Sequence, residues 1–96
     1  MTAPAAPATP VITAVGSLKA ANTNQTLTIT GTGFTPGNGL RVVVGYNGYG
    51  YYYPVISATA TQIQVQIDPG TVARTWEVEA IDSNGAISNV ATFKSQ

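Results

Sequence analysis

Gln62-Ile63-Gln64-Val65-Gln66-Ile67 alternates without a break: Ile63, Val65 and Ile67 fall on one side of the chain and the glutamines on the other. Successive side chains leave an extended backbone on opposite faces, so this is the pattern of a β-strand with one face in a core and one in water. The same period recurs on either side. Upstream, Gln25–Thr30 sets Leu27 and Ile29 against Thr26, Thr28 and Thr30. Downstream, Thr75–Ile81 sets Trp76, Val78 and Ala80 against Glu77 and Glu79.

Further out the signal is weaker but of the same kind. Val11–Val15 is a short first strand, and Leu40–Val44 is nearly all apolar, as expected of a strand near the middle of its sheet. Tyr51–Ile56 is a candidate that Pro54 moves towards an edge, because proline cannot donate to a ladder. Ala86–Phe93 closes the chain. No stretch carries helical periodicity. Turn chemistry separates the strands at Thr35-Pro36-Gly37-Asn38-Gly39, Asp68-Pro69-Gly70 and Asp82-Ser83-Asn84-Gly85. Asn84-Gly85, between two strand patterns, is expected to form a type I′ hairpin turn. About seven short strands in so few residues predict an all-β fold, an immunoglobulin-like antiparallel sandwich of two sheets. Trp76 is expected in its core with Leu27, Ile29, Phe34, Ile63 and Val65.

Composition narrows what such a domain does. The 96 residues carry four basic side chains, four acidic ones and no cysteine or histidine. Scattered cations in a neutral chain give no footprint for a phosphate backbone, so no nucleic-acid partner is expected. No apolar run approaches the ~18 residues of a membrane span. A domain of this size hides only about 60–65% of its unfolded surface, and without cysteine it does so without a disulfide. Thr2–Pro10 reads TAPAAPATP, with prolines at 4, 7 and 10. Proline fixes φ and donates no hydrogen bond, so residues 1–10 are expected to be a semi-rigid linker to neighbouring domains of a longer chain. Residues 11–96 are the folded domain, expected to be a monomer.

Several blocks, in order, resemble the TIG (IPT) family of immunoglobulin-like domains. They are Pro10-Val11-Ile12-Thr13-Ala14-Val15, Leu27-Thr28-Ile29-Thr30-Gly31-Thr32-Gly33-Phe34, Val42-Val43-Val44-Gly45 and residues 57–65 (SATATQIQV). Asp68-Pro69-Gly70, Val78-Glu79-Ala80-Ile81, Asn84-Gly85, Ser88-Asn89 and Phe93 complete the series. The resemblance covers nearly everything after the linker, and its most specific parts are TITGTGF and NGAISN. It implies a linker or binding module. Receptor members of the family carry cysteines and transcription-factor members need basic loops; this chain has neither, which implies a bacterial or virion-borne module, secreted or on a cell surface. Gly31 and Gly33 stand where the strand must turn, and Phe34 then returns to the core.

The residues for catalysis are missing. Without His or Cys the usual general base and the best nucleophile are absent, so no enzyme activity and no cofactor are expected. Glu77 and Glu79 share a face about 6.5–7 Å apart, a spacing glycosidases use, but a flat sheet gives them no cleft and a solvated face is the plainer account. The Asp82–Gly85 loop offers oxygen ligands to calcium, yet one carboxylate is too little charge for a good site. Asn24-Gln25-Thr26 has the form of a glycosylation sequon.

The anomaly is Tyr46-Asn47-Gly48-Tyr49-Gly50-Tyr51-Tyr52-Tyr53, which holds all five tyrosines of the chain. Alternation places Tyr51 and Tyr53 on one face and Tyr52 on the other, and leaves Tyr46 and Tyr49 in a Gly/Asn-rich loop without a core role. Exposed tyrosine offers a flat apolar ring and a hydroxyl at low entropic cost, a combination suited to stacking on sugars. Three assignments are open: an edge hairpin whose rings pack on one another, a site for a neutral polysaccharide built from Tyr46, Asn47, Tyr49, Tyr51, Tyr52 and Tyr53, and a protein contact. Whether the rings form an exposed platform or fold inward separates them.

Overall fold

The computed structural model describes residues 9–37 and 39–96, so residues 1–8 of the expected linker and Asn38 lie outside the described residues. Eight strands follow one another: β1 (Val11–Val15), β2 (Gln25–Thr32), β3 (Arg41–Tyr46), β4 (Tyr49–Tyr53), β5 (Val55–Ala58), β6 (Gln62–Ile67), β7 (Arg74–Ile81) and β8 (Ala91–Ser95). They form two four-stranded sheets ordered β1-β2-β6-β5 and β4-β3-β7-β8, and every strand pair is antiparallel. The immunoglobulin-like sandwich expected from the sequence is the fold observed, with eight strands in place of about seven.

The extra strand arises at Pro54. Tyr51–Ile56 is not one strand: β4 pairs with β3 in the second sheet, and after Pro54 the chain crosses to pair with β6 in the first. A proline cannot continue the ladder, and here it is the point at which the chain changes sheets. The last strand is also shorter than its sequence suggests. Ile87 makes only an isolated bridge to Ile81. Ser88 Oγ accepts the Ala80 N–H at 2.8 Å, standing in for a ladder bond. Regular pairing resumes at Ala91.

Alternation becomes burial as expected. Leu27 and Ile29 of β2 and Ile63 and Val65 of β6 face Val42 and Val44 of β3 and Val78 and Ala80 of β7, all fully buried. Trp76 is 5% exposed. Its ring stacks on Phe93 at 6.1 Å between centroids, and its Nε1 donates to Ser95 Oγ at 3.0 Å. Phe34 is buried as expected, and Gly33 takes φ +74°. Gly31 works differently. It needs no positive φ; a Cβ there would collide with the Val11 carbonyl oxygen and lie 2.7 Å from Phe34 Cζ. Its lack of a side chain lets β1 and the Phe34 ring close over β2.

The type I′ turn is not where the sequence suggests. Asn84 lacks a positive φ and only Gly85 has one, +89°. The Gly85 N–H donates to the Asp82 carbonyl and the Asp82 N–H to the Ala86 carbonyl, so the connection is a turn followed by one left-handed residue. The two-residue hairpin forms instead at Asn47-Gly48, with φ of +53° and +81°, between the paired Tyr46 and Tyr49. Positive φ at both central residues is the mark of a type I′ turn.

Two consequences are measurable by urea denaturation followed by far-UV circular dichroism, because Trp76 is the chain's one tryptophan. Trp76→Ala loses about 3–5 kcal/mol, the range for a buried tryptophan. Gly48→Val and Gly85→Val each lose about 1–2 kcal/mol, the cost of a left-handed conformation for an L side chain; a loss below the ~0.5 kcal/mol of a surface change means the turn relaxes.

Candidate functional site: the tyrosine hairpin

The β3–β4 hairpin carries all five tyrosines, and the parity of its strands divides them. Across the ladder Val42 faces Tyr53, Val44 faces Tyr51 and Tyr46 faces Tyr49. Directly opposed residues share a face, so Tyr46, Tyr49, Tyr51 and Tyr53 lie on the core side and Tyr52 on the outer side. Cover from the first sheet reaches Tyr53, which packs against the core, and stops short of the two beyond it. Tyr49 is 71% exposed, Tyr51 65% and, on the other face, Tyr52 61%. Tyr49 and Tyr51 are two residues apart on one strand, about 6.5–7 Å. Asn47 is exposed at the hairpin apex.

Tyr46 belongs to the core's aromatic group. Its ring meets Trp76 edge-on at 5.0 Å and 87°, and the Arg74 guanidinium sits 3.9 Å from its centroid. Edge-to-face pairs contribute roughly 0.5–1.5 kcal/mol and a stacked cation a comparable amount, so this ring is held. Extending the Val42–Val44 alternation by one step would have found it. Burial pushes the Tyr53 hydroxyl above the usual tyrosine value of 10.0, and Tyr51, Tyr46 and Asp68 add to the rise. Of the six candidate residues, therefore, Tyr49, Tyr51, Tyr52 and Asn47 face solvent, while Tyr46 and Tyr53 are half-buried.

The outer face is not flat, as the sequence suggested. Val43, Gly45, Gly50, Glu77, Glu79 and Val90 border a shallow depression of about 250 Å³. Its floor is low because a Cβ on Gly45 would collide with the Tyr49 carbonyl oxygen and the Gly50 Cα, and one on Gly50 would lie 2.7 Å from Val43 Cγ1. Glu77 and Glu79 stand beside it as hydrogen-bond acceptors.

The remaining sequence candidates have structural settings. Asp82 is buried and its Oδ1 accepts the Thr35 N–H at 3.0 Å, while Ser83 Oγ donates to the Thr35 carbonyl at 3.0 Å. The pair pins two loops together at one end of the sandwich. No three side chains among Asp, Glu, His and Cys converge among the described residues, and none of these residues forms a helix long and apolar enough to cross a membrane. Asn24 is exposed just before β2.

A family model described as IPT/TIG domain matches residues 10–95. No curated protein matches the chain. Among solved structures it is similar to the solution structure of the TIG domain from human nuclear factor of activated T-cells, cytoplasmic 4, at TM-score 0.66 and 12% identity. That match covers 99% of this chain and 93% of the other. At such identity the likeness speaks for the fold alone.

Tyr46→Ala is expected to lose about 2 kcal/mol through the lost edge contact and partial burial, whereas Tyr49→Ala stays within ~0.5 kcal/mol. Denaturation midpoints of the two variants compare these directly. Equal losses would place Tyr49 in the core with Tyr46.

Proposed function

The chain belongs to the IPT/TIG domain family, and from that premise we propose that it is a non-catalytic binding module for a neutral polysaccharide, contacted through the exposed rings of β4. The observation that carries this is the pair Tyr49 and Tyr51, each about two-thirds exposed on one face of an edge strand. No charge lies between them. Aromatic surface of this kind on a small domain marks a contact site, and ring faces flanked by hydroxyls suit sugar rings and their hydroxyls. Tyr46 and Tyr53 flank the pair on the same face, and Asn47 adds an amide at its end.

In this proposal the domain is an accessory module of a multidomain, extracellular bacterial protein. A neutral, Thr-rich, cysteine-free surface is compatible with that setting. One observation favours a second role, as a spacer between neighbouring domains: Pro10 is fully buried, so the last proline of the Pro/Ala/Thr segment is anchored at the start of β1.

The test is an NMR titration of the ¹⁵N-labelled domain with soluble neutral oligosaccharides. Binding in the micromolar to millimolar range, roughly −4 to −8 kcal/mol, is expected to perturb Tyr49 and Tyr51 and to change little with salt. Tyr49→Ala and Tyr51→Ala abolish it with the fold intact. Tyrosine resonances unmoved across a broad glycan panel sink the polysaccharide proposal and leave the spacer.

A further inference from the structure

A sheet edge presents unpaired N–H and C=O groups, a template for pairing with another strand. The sandwich has four such edges, and three are protected. At β1, the Asn89 side chain accepts the Ile12 N–H at 2.7 Å and donates to the Ile12 carbonyl at 3.1 Å, and the strand is irregular between Ile12 and Ala14. At β8, the segment Leu18–Ala20 lies alongside and exchanges backbone bonds with Lys94 and Gln96. β5 has four residues, starts after Pro54 and breaks register between Val55 and Ser57. The fourth edge, β4, has an unbroken register with β3, no charged residue, and no proline before its end.

We infer that the β4 edge is a self-association surface, pairing antiparallel with β4 of a second copy of this chain. The donor–acceptor pattern is self-complementary. The residues closing a two-residue hairpin form a hydrogen-bonded pair, so Tyr49, Tyr51 and Tyr53 turn their backbone groups to β3. Gly50 and Tyr52 turn theirs outward. The same alternation holds across the sheet: the Ala80 N–H points to Ser88 and the Lys94 carbonyl to Leu18. A two-fold axis at Tyr51 then sets Gly50 opposite Tyr52 of the other copy, twice, each pair exchanging two bonds. An isologous contact of this kind closes on itself.

The side chains agree with that register. Tyr52 on the outer face lies across from Gly50 of its mate, where an aromatic ring shields a glycine that has nothing to pack. On the other face Tyr51 meets its own copy, and Tyr49 meets Tyr53. No like charges are brought together, and Pro54, with no N–H to give, ends the pairing. The three exposed tyrosines hide roughly 300–450 Å² per copy, about half the ~800 Å² that a partner contributes to a standard interface. Association is therefore weak and concentration-dependent, and the monomer expected from the sequence is the dilute state. None of this depends on a glycan.

Sedimentation velocity from micromolar to millimolar protein, without any glycan, tests it. The apparent mass is expected to rise from 9.9 kDa towards twice that value, with the Gly50 and Tyr52 amides perturbed on concentration. Tyr51→Lys and Tyr51→Glu each set like charges against themselves and stay monomeric, and an equimolar mixture of the two recovers the association. Tryptophan emission verifies that both variants are folded. Three results overturn the inference: a wild-type mass constant to millimolar concentration, a Tyr51→Lys variant that associates as the wild type does, or perturbed amides that map to β1, β5 or β8. None of them touches the glycan titration.

Discussion

Across the midplane of the sandwich, Leu27, Ile29, Ile63 and Val65 of one sheet lie against Val42, Val44, Val78 and Ala80 of the other, all of them buried. Burial of such side chains contributes about 1.5–3 kcal/mol each, and a slip of one residue in any of these strands would turn its apolar set to solvent. This packing holds the register of the central four strands, and parity then propagates outward along the chain. From Val42 and Val44 it passes to Tyr46, which joins the Trp76 group. Across the ladder it passes to Tyr53, Tyr51 and Tyr49. Those rings share the core's face, but the opposing sheet ends before it reaches the last two. The exposed pair follows from a mismatch in extent between two sheets whose central registers are not negotiable.

Glycine governs the same corner by absence. Gly45 allows the Tyr49 carbonyl to pass where a side chain would stand, and Gly50 makes room for Val43. Together they let β3 and β4 close tightly behind the Asn47-Gly48 turn, and they leave the shallow depression beside Glu77 and Glu79. One hairpin thus offers two surfaces of different character: an aromatic one on the overhang and one lined with acceptors on the outer face. The family shares a fold, and a fold does not specify a ligand; a ligand is argued from what this chain places on that hairpin.

Most of the architecture was legible because a half-buried strand writes its environment into every second residue. Gln62–Ile67, Gln25–Thr30 and Thr75–Ile81 are such strands, and Trp76 was placed correctly from its neighbours alone. The misplaced features share a cause. Asn-Gly marks a type I′ turn only when the flanking strands pair right up to it. That holds at Asn47-Gly48, whereas Asp82 and Ala86 close a longer loop around Asn84-Gly85. Nothing local separates the two dipeptides. Pro54 was legible as an interruption but not as a change of sheet, since pairing partners are set by distant residues. In the candidate site the identity of the tyrosines was plain and their exposure was not, because it depends on where a sheet formed by other segments stops.

The pairing of Leu18–Ala20 with the end of β8 has a mechanical side. The bridge between Leu18 and Ser95 is parallel, and three backbone bonds run across the seam: Leu18 to Lys94, Gln96 to Leu18 and Ala20 to Gln96. Tension that draws the chain apart through its two ends pulls these segments in opposite directions along their own axes. The bonds then bear the load together, in shear, instead of opening one after another like a zip. A domain strung in a longer chain under flow or traction would give way late and abruptly, with the seam acting as its latch.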